Sequence, residues 1–389
     1  MIDLKKVQQL ILKATPVLGR ESVPILEALR RVLVQDIVVF EDLPASDISA
    51  VDGYAVRHAS VRSAVDHNTP CPLRIIGESP AGRPCGAVVG DGEAVRIMTG
   101  GLLPSGADTV VKQENTTEIN GHVICTGDPV FGTGIRFQGE SLKKGEVLLR
   151  AGDVIGPLEV GALASLRRAY VHVHQKPLVA ILSTGDELSD FHEPPSCSKA
   201  MCSNVYALAA QVVEAGARPL CLGIVHDNLD ELKDVLYEAL RADVIVTSGG
   251  TSKGKYDLIH KAFGSLGMEM RFSNIFAKPG KPTVFGTIQK KLIFGLPGNP
   301  SATMLSFEQF IKPSLLKMMG HQIVLNGSRK PSDPFSLIDS FNYESGGNKG
   351  HHRAPQVPVG NAISRNNKNP GNQKPAPDPL PEPMKLTAN

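Results

Sequence analysis

Residues 247–257, Thr-Ser-Gly-Gly-Thr-Ser-Lys-Gly-Lys-Tyr-Asp, follow a β-branched run at 243–246 and precede a helical pattern at 256–266. A glycine-rich turn between strand and helix exposes backbone N–H groups at a helix start, where a phosphate is stabilised. Ser248, Gly249, Gly250, Thr251 and Ser252 therefore read as an anion cradle. The spacing is neither that of a P-loop nor that of a dinucleotide fingerprint, and a plain tight turn fits it too. Further chemistry-bearing residues follow other strand-like runs: Asp186 and Glu187 after 177–183, Asp227 after 218–225, and Pro297, Gly298 and Asn299 after 291–294. In an open α/β sheet such positions share the carboxyl edge, where ligands bind. Asp186, Glu187 and Asp227, with Asp257 beside the cradle, supply oxygens of the kind Mg²⁺ takes together with substrate phosphates. Lys278 and Lys281, held by a Pro-Gly spacer, would neutralise remaining phosphate charge. Taken singly, carboxylates after strands are usually caps or solvated, and the histidines, His226 among them, show no metal spacing.

Alternating strand and helix patterns from residue 176 to 320 predict a doubly wound α/β domain with a mainly parallel sheet. Helices are expected at 204–215, 229–240, 256–266 and 301–319. The first half has a different texture. Apolar spacing predicts helices at 4–12 and at 21–33, the second with a stripe of Val23, Leu26, Leu29 and Leu33. Short strands at 73–76, 94–98, 109–112 and 122–125, separated by Gly and Pro, predict a small β module. Residues 43–56 are mostly small, polar and turn-forming, and Asp52 before Gly53 reads as a turn. The expected division is 1–50 with 145–175 as a helical and β linker domain, 51–144 as an inserted β module, 176–320 as the α/β domain, and 321–389 as a disordered tail rich in Pro, Gly, Asn and Ser.

Composition excludes some classes of function. With 389 residues and a net charge of +2, the chain has no charge bias toward nucleic acid or a membrane surface. Its six cysteines include no C-x-x-C pair, which disfavours zinc ribbons and thioredoxin-type chemistry. No run of about 18 apolar residues and no apolar leader core is present, so a soluble cytoplasmic protein is expected.

Eight ordered segments together resemble the MoeA family of molybdopterin molybdenumtransferases, which includes the E domain of gephyrin. They are residues 51–57, 96–100, 106–111, 183–188, 223–228, 248–254, 278–283 and 296–300. The resemblance implies a MoeA-like multidomain α/β plus β fold with a MoaB/MogA-like α/β domain, working as a homodimer. It implies Mg²⁺-dependent insertion of molybdate into adenylylated molybdopterin, with release of AMP. Carried over to this chain, it implicates Asp52, Thr99, Glu187, Asp227 and Asp257 as catalytic, and Lys278 and Lys281 as substrate-binding. The sequence departs from the family pattern at Ser141, Cys202, Ser301 and Ala302, and the family's C-terminal β domain is not recognisable after residue 320. Those departures leave a second expectation open, a catalytically impaired MoeA-like scaffold or dimerisation protein.

Overall fold

A computed structural model describes residues 4–66, 72–126, 128–194, 197–249, 256–272 and 283–322. Helix α1 (Leu4–Ala14) buries Val7 and Ile11, one turn apart on a single face. The first large sheet comprises β1 (Gly53–Val56), then, after helix α2 (His58–Asp66), β2 (Pro72–Ser79), β3 (Glu93–Ile97), β4 (Thr109–Lys112), β5 (Thr116–Ile119) and β6 (His122–Cys125). The strand order is β4-β1-β3-β2-β6-β5. Only the β2–β3 pairing is parallel. β1, inside a stretch expected to be irregular, is buried along its whole length between β4 and β3. Alternate residues separate two faces, Tyr54 and Val56 on one and Ala55 on the other.

The expected helix at 21–33 does not form. Arg20–Pro24 is instead a strand paired antiparallel with Tyr170–His174. Turns follow it, with Arg30 at φ 64°. Pro24 ends the strand, and Leu26 and Leu29, half of the anticipated stripe, are exposed. This ribbon packs with Ile37, Leu149 and helix α3 (Pro157–Ser165) in a small core around Leu33 and Leu163. The Gly156 N–H donates to the Glu159 carboxylate at 2.8 Å, which starts α3.

The second large sheet contains β7 (Leu178–Thr184), β8 (Arg218–Val225), β9 (Val244–Gly249), β10 (Glu269–Phe272), β11 (Val284–Ile288) and β12 (Lys291–Leu296). Its order is β8-β7-β9-β12-β11-β10. The first four of these strands are parallel, and β11 and β10 extend the sheet antiparallel. The expected α/β texture is therefore present with an antiparallel edge, a common combination. β11 was not anticipated; it forms a two-residue hairpin with β12 through Gln289 at φ 56° and Lys290.

Three helices connect the strands, α4 (Ser203–Glu214), α5 (Leu229–Ala239) and α6 (Tyr256–Ser265), and α7 (Pro300–Ser306) follows the last strand. A π turn (Phe307–Ile311) carries α7 into α8 (Lys312–Met318). Val179, Ile181, Val246 and Phe294 face α1, α4, α7 and α8. Ala180, Leu182, Ile245 and Ile293 face α5 and α6. This period-two split between two helical layers is why the strands read as continuous apolar runs. Residues 323–389, which include nearly all of the expected tail and the stretch in which the family's C-terminal β domain was not recognisable, lie outside the described residues.

Candidate functional site

Parallel pairing fixes which residues share the carboxyl edge. Register aligns Thr184 of β7 with Val225 of β8 and with Gly249 of β9, and Ser248 with Leu296 of β12. The loops that follow must then open side by side. Asp227 N–H donates to Asp186 Oδ1 at 3.2 Å, which draws the β7 and β8 loops together. His226 Nδ1 lies 3.2 Å from the same oxygen. Glu187 folds back over the turn: a β-carbon built on Gly185 would stand 2.6 Å from its carboxylate oxygens. Three of the carboxylates predicted from sequence are thus gathered at two adjacent strand ends.

The loop after β12 is tied to the end of β9 by a buried side chain. Asn204, 9% exposed and in the first turn of α4, donates from Nδ2 to Ser248 Oγ at 2.8 Å and to Gly298 O at 2.9 Å. Thr303 Oγ1 donates to the carbonyl of Pro297, and also to that of Asn299 at 2.9 Å. The Asn299 side chain caps α7, accepting from Ala302 N–H at 3.2 Å. Gly249 has φ 95°, and a β-carbon there would sit 2.7 Å from Thr184 O, so only glycine lets β9 turn against β7. Beneath these loops Ser183 Oγ, Thr184 Oγ1, Thr247 Oγ1 and Asn204 Oδ1 are buried with no hydrogen-bond partner. Such atoms are destabilising unless a ligand or water meets them.

The first sheet holds a separate pair. Asp52 immediately precedes β1 and Thr99 follows β3, and the pairing of Gly53 with Ile97 brings the two together. Thr99 donates to Asp52 Oδ1 from its backbone N–H at 2.7 Å and from its hydroxyl at 2.8 Å. The backbone donor, followed by the hydroxyl, holds the Asp52 carboxyl below the usual carboxylate range. Among the described residues no hydrogen bond joins this pair to the strand-end loops. Ser141 Oγ receives Arg136 Nη2 at 2.6 Å.

Gly250, Thr251, Ser252, Lys278 and Lys281 lie outside the described residues, as does the side chain of Asp257, whose backbone is in α6. Sequence reasoning set His226 aside and missed Asn204. The signal for Asn204 was its place in the stripe it shares with Leu208 and Val212, both fully buried. A polar residue in an apolar stripe needs an internal partner.

Among the described residues no group of three or more His, Cys, Asp or Glu could by itself enclose a metal ion. Mg²⁺ does not need such a cage; it takes one or two carboxylates and completes its shell with water and substrate phosphate. The all-oxygen donors Asp186, Glu187 and Asp227 beside unpaired buried hydroxyls fit that requirement.

Residues 2–166 match the MoeA N-terminal region (domain I and II), and residues 180–317 match a probable molybdopterin binding domain. The molybdopterin molybdenumtransferase of Nostoc sp. is 37% identical over 304 residues, covering 77% of this chain and 70% of its own. That of Bacillus subtilis is 38% identical over 298 residues, covering 75% and 69%. A crystal structure of the molybdopterin biosynthesis MoeA protein from Pyrococcus horikoshii superposes with a TM-score of 0.70 at 31% identity, covering 83% of this chain and 80% of that one. The fold and the order of the two matched regions define a MoeA-type protein. The chain belongs to the MoeA family, in which these curated relatives are molybdopterin molybdenumtransferases.

Proposed function

We propose that this chain is a molybdopterin molybdenumtransferase of molybdenum cofactor biosynthesis, inserting molybdate into adenylylated molybdopterin with release of AMP. The observation that carries the reading is the Asp227 N–H bond to the Asp186 carboxylate, which collects the acidic strand ends beside the backbone of Gly249 and Gly298. A diphosphate-bearing substrate needs backbone donors for its oxygens and a countercharge for the rest. In this reading residues 248–251 and the Pro297–Asn299 loop would supply donors, Lys278 and Lys281 positive charge, and Ser252 a further anion contact. Asp186, Glu187 and Asp227 would hold Mg²⁺, which when bound neutralises phosphate charge and orients the phosphoanhydride. Asp257 stands at the start of α6, next to the cradle.

Asp52 and Thr99 form the second half of the site, on the 51–144 module carried by the 1–50 and 145–175 linker. In this reading they face the strand ends in a cytoplasmic homodimer, and the Thr99 hydroxyl, oriented by Asp52, contacts molybdate. No nucleic-acid or membrane partner enters the proposal.

A second reading, a catalytically impaired scaffold, is favoured by one observation. Arg136 meets the neutral Ser141 hydroxyl where the family pattern has a carboxylate. One assay separates the two. Purified chain given adenylylated molybdopterin, molybdate and MgCl₂ is expected to release AMP; no release under conditions where the Bacillus subtilis relative turns over would select the scaffold.

A further inference from the structure

The geometry points to Asn204 as a positioning residue: its buried amide fixes the Gly298–Asn299 peptide so that the Asn299 N–H, beside that of Gly298, faces substrate phosphate. The inference rests on the transferase reading for the identity of the ligand, and on the hydrogen-bond pattern alone for the orientation.

Packing would place an apolar residue at this position. Asn204 lies in the α4 stripe with Leu208 and Val212, in the core that contains Phe307 and Phe294. Its orientation is settled by its partners. Gly298 O can only accept, so the group 2.9 Å from it must be Nδ2. Oδ1 is then left buried without a donor. An aliphatic side chain would avoid that uncompensated acceptor, so stability alone does not account for asparagine here.

Three successive carbonyls of the loop are held on the protein side. Pro297 O accepts from Thr303 Oγ1 and, at 3.5 Å, from Ser248 Oγ. Gly298 O accepts from Asn204. Asn299 O accepts from Thr303 N–H at 2.9 Å. In a planar trans peptide the N–H points opposite to the carbonyl of the same unit. With Pro297 O and Gly298 O turned inward, the N–H groups of Gly298 and Asn299 must turn outward. Both residues are exposed, and among the described residues neither N–H has a hydrogen-bond partner. Two adjacent outward N–H groups make a concavity suited to a phosphate oxygen. Thr303 belongs to the helix that the loop starts, so it moves with the loop. Asn204 is on a different helix, and among the described residues it alone holds Gly298 O. Losing it frees the second of the two peptide units to rotate.

The test compares full-length wild type with Asn204→Ala, Asn204→Asp and Ser306→Ala. Ser306, 3% exposed, donates to Ala302 O at 2.8 Å on α7 and touches none of the loop carbonyls. Asn204→Ala is expected to raise KM for adenylylated molybdopterin about tenfold with kcat within about threefold. Asn204→Asp, which sets a carboxylate oxygen against Gly298 O, should raise KM further. Ser306→Ala should lower Tm and leave KM unchanged, separating lost stability from lost positioning. A folded Asn204→Ala or Asn204→Asp with wild-type KM overturns the inference. Protein labelled with ¹⁵N at Gly and Asn gives a readout independent of turnover. The Gly298 and Asn299 amide resonances should move in Asn204→Ala and stay in Ser306→Ala, and unmoved resonances overturn the inference. Absence of AMP release from wild type would reject the transferase reading, while the amide resonances would still decide the role of Asn204.

Discussion

The two six-stranded sheets treat polar groups in opposite ways. Around the first sheet the acids are closed on near neighbours: Asp52 on Thr99, Glu118 on Tyr54 at 2.7 Å, and Asp108 on the His58 N–H at 2.6 Å. No buried side-chain polar atom of the described residues 53–125 lacks a partner. At the carboxyl edge of the second sheet Ser183, Thr184, Thr247 and Asn204 each keep one unpaired. At about 1–3 kcal/mol for each uncompensated group, four together approach the whole stability of a typical domain, about 5–15 kcal/mol. Self-satisfied polarity builds a scaffold, whereas polarity left open at strand ends is held ready for something that binds.

That contrast can be broken most severely at Gly249. Gly249→Ala adds a β-carbon 2.7 Å from Thr184 O at φ 95°, and should cost about 3 kcal/mol in urea unfolding and abolish AMP release. Thr184→Val sharpens it: removing an unpaired buried hydroxyl should raise stability by about 1–2 kcal/mol while lowering AMP release at least about tenfold. A variant that gained neither stability nor lost activity would show that this hydroxyl is already satisfied. On the first sheet, Asp52→Asn should cost about 0.5–1 kcal/mol, allowing for solvent screening. The sign of its pH dependence follows from the lowered folded value. The ionised carboxylate contributes stability above the unfolded value near about pH 4, and that contribution is lost as pH falls through the lower folded value. A Tm series from pH 6 to 2 should therefore be flatter for Asp52→Asn at its acid end. The smallest change is Ser141→Asp, which gives Arg136 a charged partner and should add about 0.5 kcal/mol, read as a rise in urea midpoint.

Most of the second sheet was legible because strands buried on both sides leave a local record. β7 runs from Leu178 to Thr184, within one residue of its apolar run at 177–183, and the acids after β7 and β8 fall at one edge because parallel strands all end there. What escaped was whatever depends on distant partners. Residues 21–33 carry helical spacing, yet Arg20–Pro24 takes its conformation from Tyr170–His174, about 150 positions away. β1 looked like a turn because Asp52-Gly53 is a turn signal. In the sheet, the β-carbon that Gly53 lacks would stand 2.0 Å from Val111 O, so glycine serves close strand packing there. Asn204 escaped because its importance lies in carbonyls and hydroxyls 44 and 94 positions away. Asp52 and Thr99 were singled out through family likeness, and their mutual hydrogen bonds supply a physical reason for the pairing.

Helix α1 packs against residues about 300 positions later in the chain. Val7 and Ile11 lie in the same core as Leu315 and Met318, and Gln8 Nε2 donates to Gln309 O at 3.0 Å. The chain therefore lays down one wall of this compartment at its start and cannot close it until about 300 residues later. Synthesis from the ribosome leaves an oily helix waiting for its lid, and cutting the second half out as a separate piece would strip away one wall of its own core.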